Sequence, residues 1–321
     1  MKTILYILLM HFVFFISCKK DELPVPKHEA GDVITASVNM DPTYKWQIYY
    51  DLKTNSVVGQ NLKTAWDLAF EADANGFHVI LNSSKAMYAY NTNNSVFNEV
   101  TDTIGFEINK KWDSPTGNLD STAIGDFRNT NSVYIIDRGY NELGEHQGFR
   151  KIQFLSVDGT KYLVRFANLD GSGDVTLQIE KDDNYNFTFL SFTSSNTLIV
   201  EPPKNSWDLV FTQYLHVFEN PIQPYLVVGC LLNRYKTSAT MNSSISFSEI
   251  DFDLASTSNL SSNINTIGYD WKTFTGGVFI THPEKNYIIK DSEGFYYKLH
   301  FVDFYNQSGE KGNPTWKFQQ L

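Results

Sequence analysis

Few side chains in this 321-residue chain have the types and spacing to do chemistry. A Trp-Asp-Leu block occurs twice, as Trp66-Asp67-Leu68 followed by Phe70 and as Trp207-Asp208-Leu209 followed by Phe211. Two carboxylates in matching contexts could serve as the acid and base of glycosidic-bond cleavage. Their repetition favours a structural role: in each copy an indole and a phenyl ring anchor a strand, while the carboxylate accepts hydrogen bonds from a neighbouring turn or indole N–H. Trp66, Asp67, Phe70, Trp207, Asp208 and Phe211 are therefore expected to hold a repeated unit together. The histidines offer ligation of a metal or cofactor. Beyond His11 there are six, His28, His78, His146, His216, His282 and His300, and none is spaced as a metal cluster. His146, in the loop 144–148, and His216, on one strand face with Tyr214 and Phe218, have surroundings suited to a flat hydrophobic cofactor. Cys230 lies in the apolar run 225–232 and reads as a small buried hydrophobe. Asp170-Gly171-Ser172-Gly173-Asp174 lacks the spacing and distal Glu of a calcium loop and reads as a hairpin turn. No nucleophile elbow, zincin motif, Walker loop or dinucleotide fingerprint is present, so the chain signals no enzyme class.

The start of the chain gives location. Met1-Lys2 precedes an apolar run over residues 3–16, too short to span a bilayer comfortably and suited to a secretory signal. Phe15-Ile16-Ser17-Cys18 resembles a lipoprotein cleavage box, with Phe15 in place of the usual Leu, so residues 1–17 would be removed and Cys18 lipidated. Lys19-Lys20-Asp21-Glu22 resembles the export tag of surface lipoproteins in the Bacteroidetes. Lipid chains contribute about 0.8 kcal/mol per buried methylene, so several tether a protein firmly. Residues 18–37, with Pro24, Pro26 and Gly31, have the composition of a tether. A formal charge of −10 excludes non-specific nucleic-acid binding through phosphate contacts.

What must position the candidate residues looks all-β. Trp46, Ile48 and Tyr50 alternate with polar neighbours, as a half-buried strand does. Asp158-Gly159 between Ile152, Phe154 and Tyr162, Val164, Phe166 predicts a hairpin whose glycine takes a positive angle. Tyr297, Leu299 and Phe301 predict a closing strand, with Ser308-Gly309 and Gly312-Asn313-Pro314 as turns. Residues 44–70 align with 185–211 without a gap at a constant offset of 141, placing Trp46 and Ile48 on Phe187 and Phe189. The alignment predicts two tandem, internally duplicated antiparallel β units, residues 38–175 and 176–321, packed into a sandwich-like architecture with the same strand face buried in each.

The lipoprotein start, the Trp-Asp-Leu-Ala-Phe and Trp-Asp-Leu-Val-Phe strands, Val228-Gly229-Cys230-Leu231-Leu232-Asn233 and the segment 296–301 together resemble the HmuY-like lipoproteins of Bacteroidetes. The resemblance implies an all-β surface lipoprotein, without enzymatic activity, that captures haem through two axial side chains and delivers it to an outer-membrane receptor. In haem-binding relatives a His often follows the Trp-Asp-x-Ala-Phe strand; here Glu71 and Thr212 hold that place. The candidate ligands in this chain are two of His146, His216, His78 and Met87, none of them at a position carried over from the relatives. The alternative is a surface adhesion or glycan-binding module in which Trp112 or Trp271 stacks on sugar rings.

Overall fold

The computed structural model describes residues 29–321; the signal segment, Cys18 and His28 lie outside them. Among the described residues the fold is all-β with two short α-helices, α1 (Phe106–Asn109) and α2 (Phe252–Thr257). Among the described residues no helix is long and apolar enough to cross a membrane.

Four sheets stack as layers. The first outer sheet is β6 (Tyr88–Asn91), β7 (Val133–Asp137), β8 (Phe149–Val157), β9 (Lys161–Ala167) and β10 (Val175–Glu180), in sequential antiparallel order. Its counterpart comprises β15 (Ser238–Asn242), β18 (Asn286–Lys290), β19 (Tyr296–Tyr305), β20 (Lys311–Gln320) and, at the edge, β1 (Ile34–Ser37). Between them lie two four-stranded sheets. One has the order β12 (Asn196–Leu198), β11 (Phe187–Ser191), β4 (Leu68–Glu71), β5 (Val79–Leu81). The other has the order β14 (Ile222–Leu232), β13 (Leu209–Glu219), β2 (Trp46–Asp51), β3 (Ser56–Leu62). A separate hairpin joins β16 (Lys272–Thr275) to β17 (Val278–Thr281).

Each inner sheet is built from both halves of the chain. The early hairpin β2–β3 pairs with the late strand β13, and the late hairpin β11–β12 pairs with the early strand β4. Three apolar layers follow. Phe70, Leu190 and Phe192 meet Tyr134, Phe154 and Phe166 on one side; Tyr50, Phe211 and Cys230 meet Leu299, Phe301 and Trp316 on the other. Tyr49, Trp66, Phe189, Trp207, Val210 and Tyr214 fill the middle. The strands β2, β4 and β11 and the first half of β13 are therefore buried on both faces, the pattern of a sheet covered on each side.

Several expectations are corrected by this stacking. β2 is not half-buried, because Gln47 and Tyr49 are covered by the central layer while Ile48 and Tyr50 face the outer sheet. The ungapped alignment is one residue out of step in the first hairpin. Leu190 pairs with Leu68, whereas Tyr50, not Tyr49, pairs with the matching Leu209. Trp46 and Ile48 thus face an outer sheet, while Phe187 and Phe189 face the centre. The expected division at 175/176 falls inside β10, and the last residues of the expected tether form β1. There Ile34 and Ala36 pack on the core opposite Phe318 and Trp316. The Asp158 turn forms without a positive angle at Gly159; the Asp158 carboxylate accepts the N–H groups of Thr160 (2.7 Å) and Lys161 (3.0 Å) instead. Gly312-Asn313-Pro314 lies within β20, not in a turn.

Candidate functional site

All six repeat anchors are buried. The Trp-Asp-Leu corners share one brace. Asn82 donates to the carbonyls of Lys63 (2.6 Å) and Trp66 (2.8 Å), and Asn233 donates to those of Lys204 (2.7 Å) and Trp207 (2.7 Å). The aspartates have diverged. Asp67 receives Lys85 Nζ (2.5 Å), Arg138 Nε and Nη2 (3.0 and 3.1 Å) and the Phe192 N–H (2.8 Å). Burial opposes its charge, but Lys85 and Arg138 prevail and hold the carboxyl below its usual range. Asp208 accepts the Leu52 N–H (2.9 Å) and has no cation partner, so burial, with Asp291 nearby, pushes it up to about 7. Neither carboxylate is open to a substrate, which disposes of the glycosidic acid–base pair.

The four candidate ligands occupy separate settings, and no hydrogen bond or ring contact joins any two of them. Met87 is sealed in the layer between the first outer and inner sheets, among Leu68, Phe70 and Ile136, and its thioether is closed to a cofactor. His78 precedes β5; its Nδ1 lies 2.7 Å from Glu71 and its Nε2 3.6 Å from Asp120, so carboxylates face both nitrogens. His146 lies in the β7–β8 loop with Nε2 2.7 Å from Asp137, its ring against Tyr140 and Phe149. A carboxylate on one imidazole nitrogen is the arrangement that orients a metal-binding histidine.

His216 differs from these. It stands on β13 opposite Tyr225, with its ring 4.9 Å from Phe218 and 4.8 Å from Tyr269, and its Nδ1 is buried without a hydrogen-bond partner. Burial holds its pKa below the ordinary value, so the ring is neutral near pH 7. Exposed apolar side chains, Phe218, Ile222 and Tyr225, continue the surface along the hairpin. Beyond Phe211, β13 leaves β2 and runs beside the 3-10 turn Ser83–Lys85. The carbonyl of Lys85 accepts the Tyr140 N–H (2.8 Å), so the loop carrying His146 borders the same turn.

Other expected residues fall out. Trp271 is no loop tip; it is buried and stacked on Phe301 at 3.9 Å, while Trp112 is half-buried against Tyr88. Cys230 is a buried free thiol, raised by burial, and Asp170–Asp174 is the β9–β10 turn, where Asp170 binds Ser172. Glu71 and Thr212 have structural partners, His78 and Gln47. Sequence reasoning missed Tyr269, which reaches His216 from a distant loop, and Arg234, which lies one residue past the Asn233 brace. Among the described residues no group of three His, Cys, Asp or Glu side chains is placed to hold a metal ion.

The HmuY protein family model matches residues 43–318. Among solved structures, apo PinO from Porphyromonas gingivitis is similar over 90% of this chain and 97% of its own, at 10% identity and a TM-score of 0.27. The apo HmuY analog of Tannerella forsythia is similar over 92% and 99%, at 12% identity and a TM-score of 0.25. A candidate HmuY-like haem-binding protein of Bacteroides vulgatus covers 89% and 90%, at 11% identity and a TM-score of 0.22. No curated protein matches the chain.

Proposed function

Because this chain belongs to the HmuY family, we propose that it binds haem with His216 as an axial ligand and His146 as its partner. The carrying observation is the His216 imidazole: neutral, its Nδ1 without a hydrogen-bond partner among the described residues, and bordered by Phe218, Tyr225 and Tyr269. Haem supplies an iron that takes imidazole on its axial positions and a flat apolar face that packs on aromatic rings. Asp137 fixes the ring of His146 and leaves Nδ1 for coordination. Tyr269 and Phe218, whose rings stand against the His216 imidazole, would pack on the haem face there. The residues fit binding and capture, so the reading is a haem carrier.

The same reading places the mature protein on the outer membrane, facing out, lipidated at Cys18 and passing haem to a receptor there. The cleavage box and the charged residues behind it support the anchor. Replacing Cys18 by Ser is expected to move the protein from the membrane fraction to the soluble one.

The test of haem binding is an absorbance titration of the soluble Cys18→Ser chain with haemin. A sharp Soret band with a six-coordinate low-spin spectrum is expected. His216→Ala should abolish it, and His146→Ala should leave a weaker, high-spin complex. An unchanged spectrum and affinity in His216→Ala would overturn the ligand assignment. Titration of a glycan array with the same protein tests the adhesion alternative, which lost Trp271 to the core.

A further inference from the structure

Where the two halves meet, a cleft of about 360 Å³ opens between Glu71, Asp73, Tyr185, Lys204, Arg234 and Tyr235. Arg234 is its unusual member. The guanidinium lies over the Phe187 ring at 4.9 Å and donates through Nη1 to the Gly117 carbonyl (2.9 Å). Its remaining donors have no partner among the described residues, although a guanidinium carries five. The carboxylates around it are engaged elsewhere. Glu201 accepts the N–H groups of Asn186 (2.6 Å) and Phe187 (2.9 Å), Asp113 those of Leu81 and Ala123 (both 2.7 Å), and Glu71 pairs with His78. None lies within ion-pair distance of Arg234 among the described residues. Arg234 is half-buried, lines the cleft and keeps donors unused, and a guanidinium so placed suits a planar carboxylate, which it binds in a two-pronged fashion.

The walls say what carries that carboxylate. Phe187 is covered by Arg234, and Tyr235 by Lys204 (4.9 Å) and Lys236 (5.0 Å). Tyr185 lines the cleft half-buried, and among the described residues no cation or ring covers it. Asp73, whose carboxylate takes only local N–H groups of its own turn, offers an acceptor to hydroxyls. The volume accommodates one pyranose ring with its substituents and lies at the small end of ligand sites. We propose that this cleft binds an acidic sugar, its carboxylate on Arg234 and its ring on Tyr185.

The test is calorimetric titration of the Cys18→Ser chain with glucuronate, N-acetylneuraminate and glucose. One of the two acids is expected to bind and glucose is not. Arg234→Gln should weaken the acid at least tenfold, Arg234→Lys less, and Tyr185→Ala about tenfold. Thermal melts show whether each variant is folded; should Arg234→Gln fail to fold, Tyr185→Ala and the preference over glucose decide. Glucose binding as tightly as the acids would overturn the proposal, as would no binding of either acid at millimolar concentration. A parallel haemin titration separates a second source of carboxylate: loss of haem affinity in Arg234→Gln without acid binding would assign Arg234 to a haem propionate and refute the sugar.

Discussion

At the residue scale, the two aspartates of the Trp-Asp-Leu blocks show how one motif acquires opposite electrostatics. Asp67 neutralises two buried cations, and removing it as Asp67→Asn leaves Lys85 and Arg138 without their counter-charge. A loss of about 3–5 kcal/mol is expected in urea unfolding. Asp208 lacks such cations. Its folded pKa, about 7, stands above that of an unfolded aspartate, so it binds a proton more readily in the native state. The stability this contributes is complete below about pH 4 and is lost as pH rises through about 7. Glu201, pushed up to about 7, and Asp113, pushed up to about 6, act in the same direction. Asp208→Asn should therefore flatten the fall in melting temperature between about pH 4 and 7; an unchanged slope would contradict the assignment. His216 has the reverse consequence for binding. Because burial lowers its pKa, protons compete with iron only below the ordinary histidine range, and haem affinity should persist through pH 6.5. A pH series of haemin titrations measures this.

At the scale of elements, close backbone approach decides which residues a strand tolerates. In β14 the N–H of Cys230 donates to the Gly268 carbonyl at 2.9 Å, and this bridge holds the loop that brings Tyr269 to His216. A Cβ on Gly229 would lie 2.3 Å from the Gly268 oxygen, so backbone would have to move. Gly229→Ala is expected to cost about 1–3 kcal/mol, as overpacking does, and to weaken haem binding, with chemical denaturation and haemin titration as the two readouts. A similar constraint places Gly312, at φ +87°, against the Asp41 carbonyl inside β20. A glycine there looks like a turn in sequence, because the neighbour that requires it comes from the other end of the chain.

At the scale of the molecule, the exchanged hairpins make the two halves one folding unit. Neither inner sheet can form from half of the chain, since β2–β3 completes β13 and β11–β12 completes β4. A single calorimetric unfolding transition is expected, with van't Hoff and calorimetric enthalpies equal. Two separated transitions would show that the halves behave as beads. The exchange also explains the central layer, where Trp66 and Trp207 lie together although they come from different copies of the motif.

The sequence alone determined the all-β class, the hairpins of the outer sheets and the burial of the repeated anchors, because a period-2 apolar pattern and a repeated motif are local properties; the family showed in the resemblance of its short motifs. It also singled out His216 and His146 by their neighbours in the chain. It did not reveal that Met87 is sealed in a core, that Trp271 stacks on Phe301, or that Arg234 lines a cleft. Those depend on which strand faces meet, and the inner strands, apolar on both sides, carry no pattern that tells one face from the other. Only the tertiary exchange of hairpins decided it, since the strand pairings that join each inner sheet link residues more than a hundred positions apart.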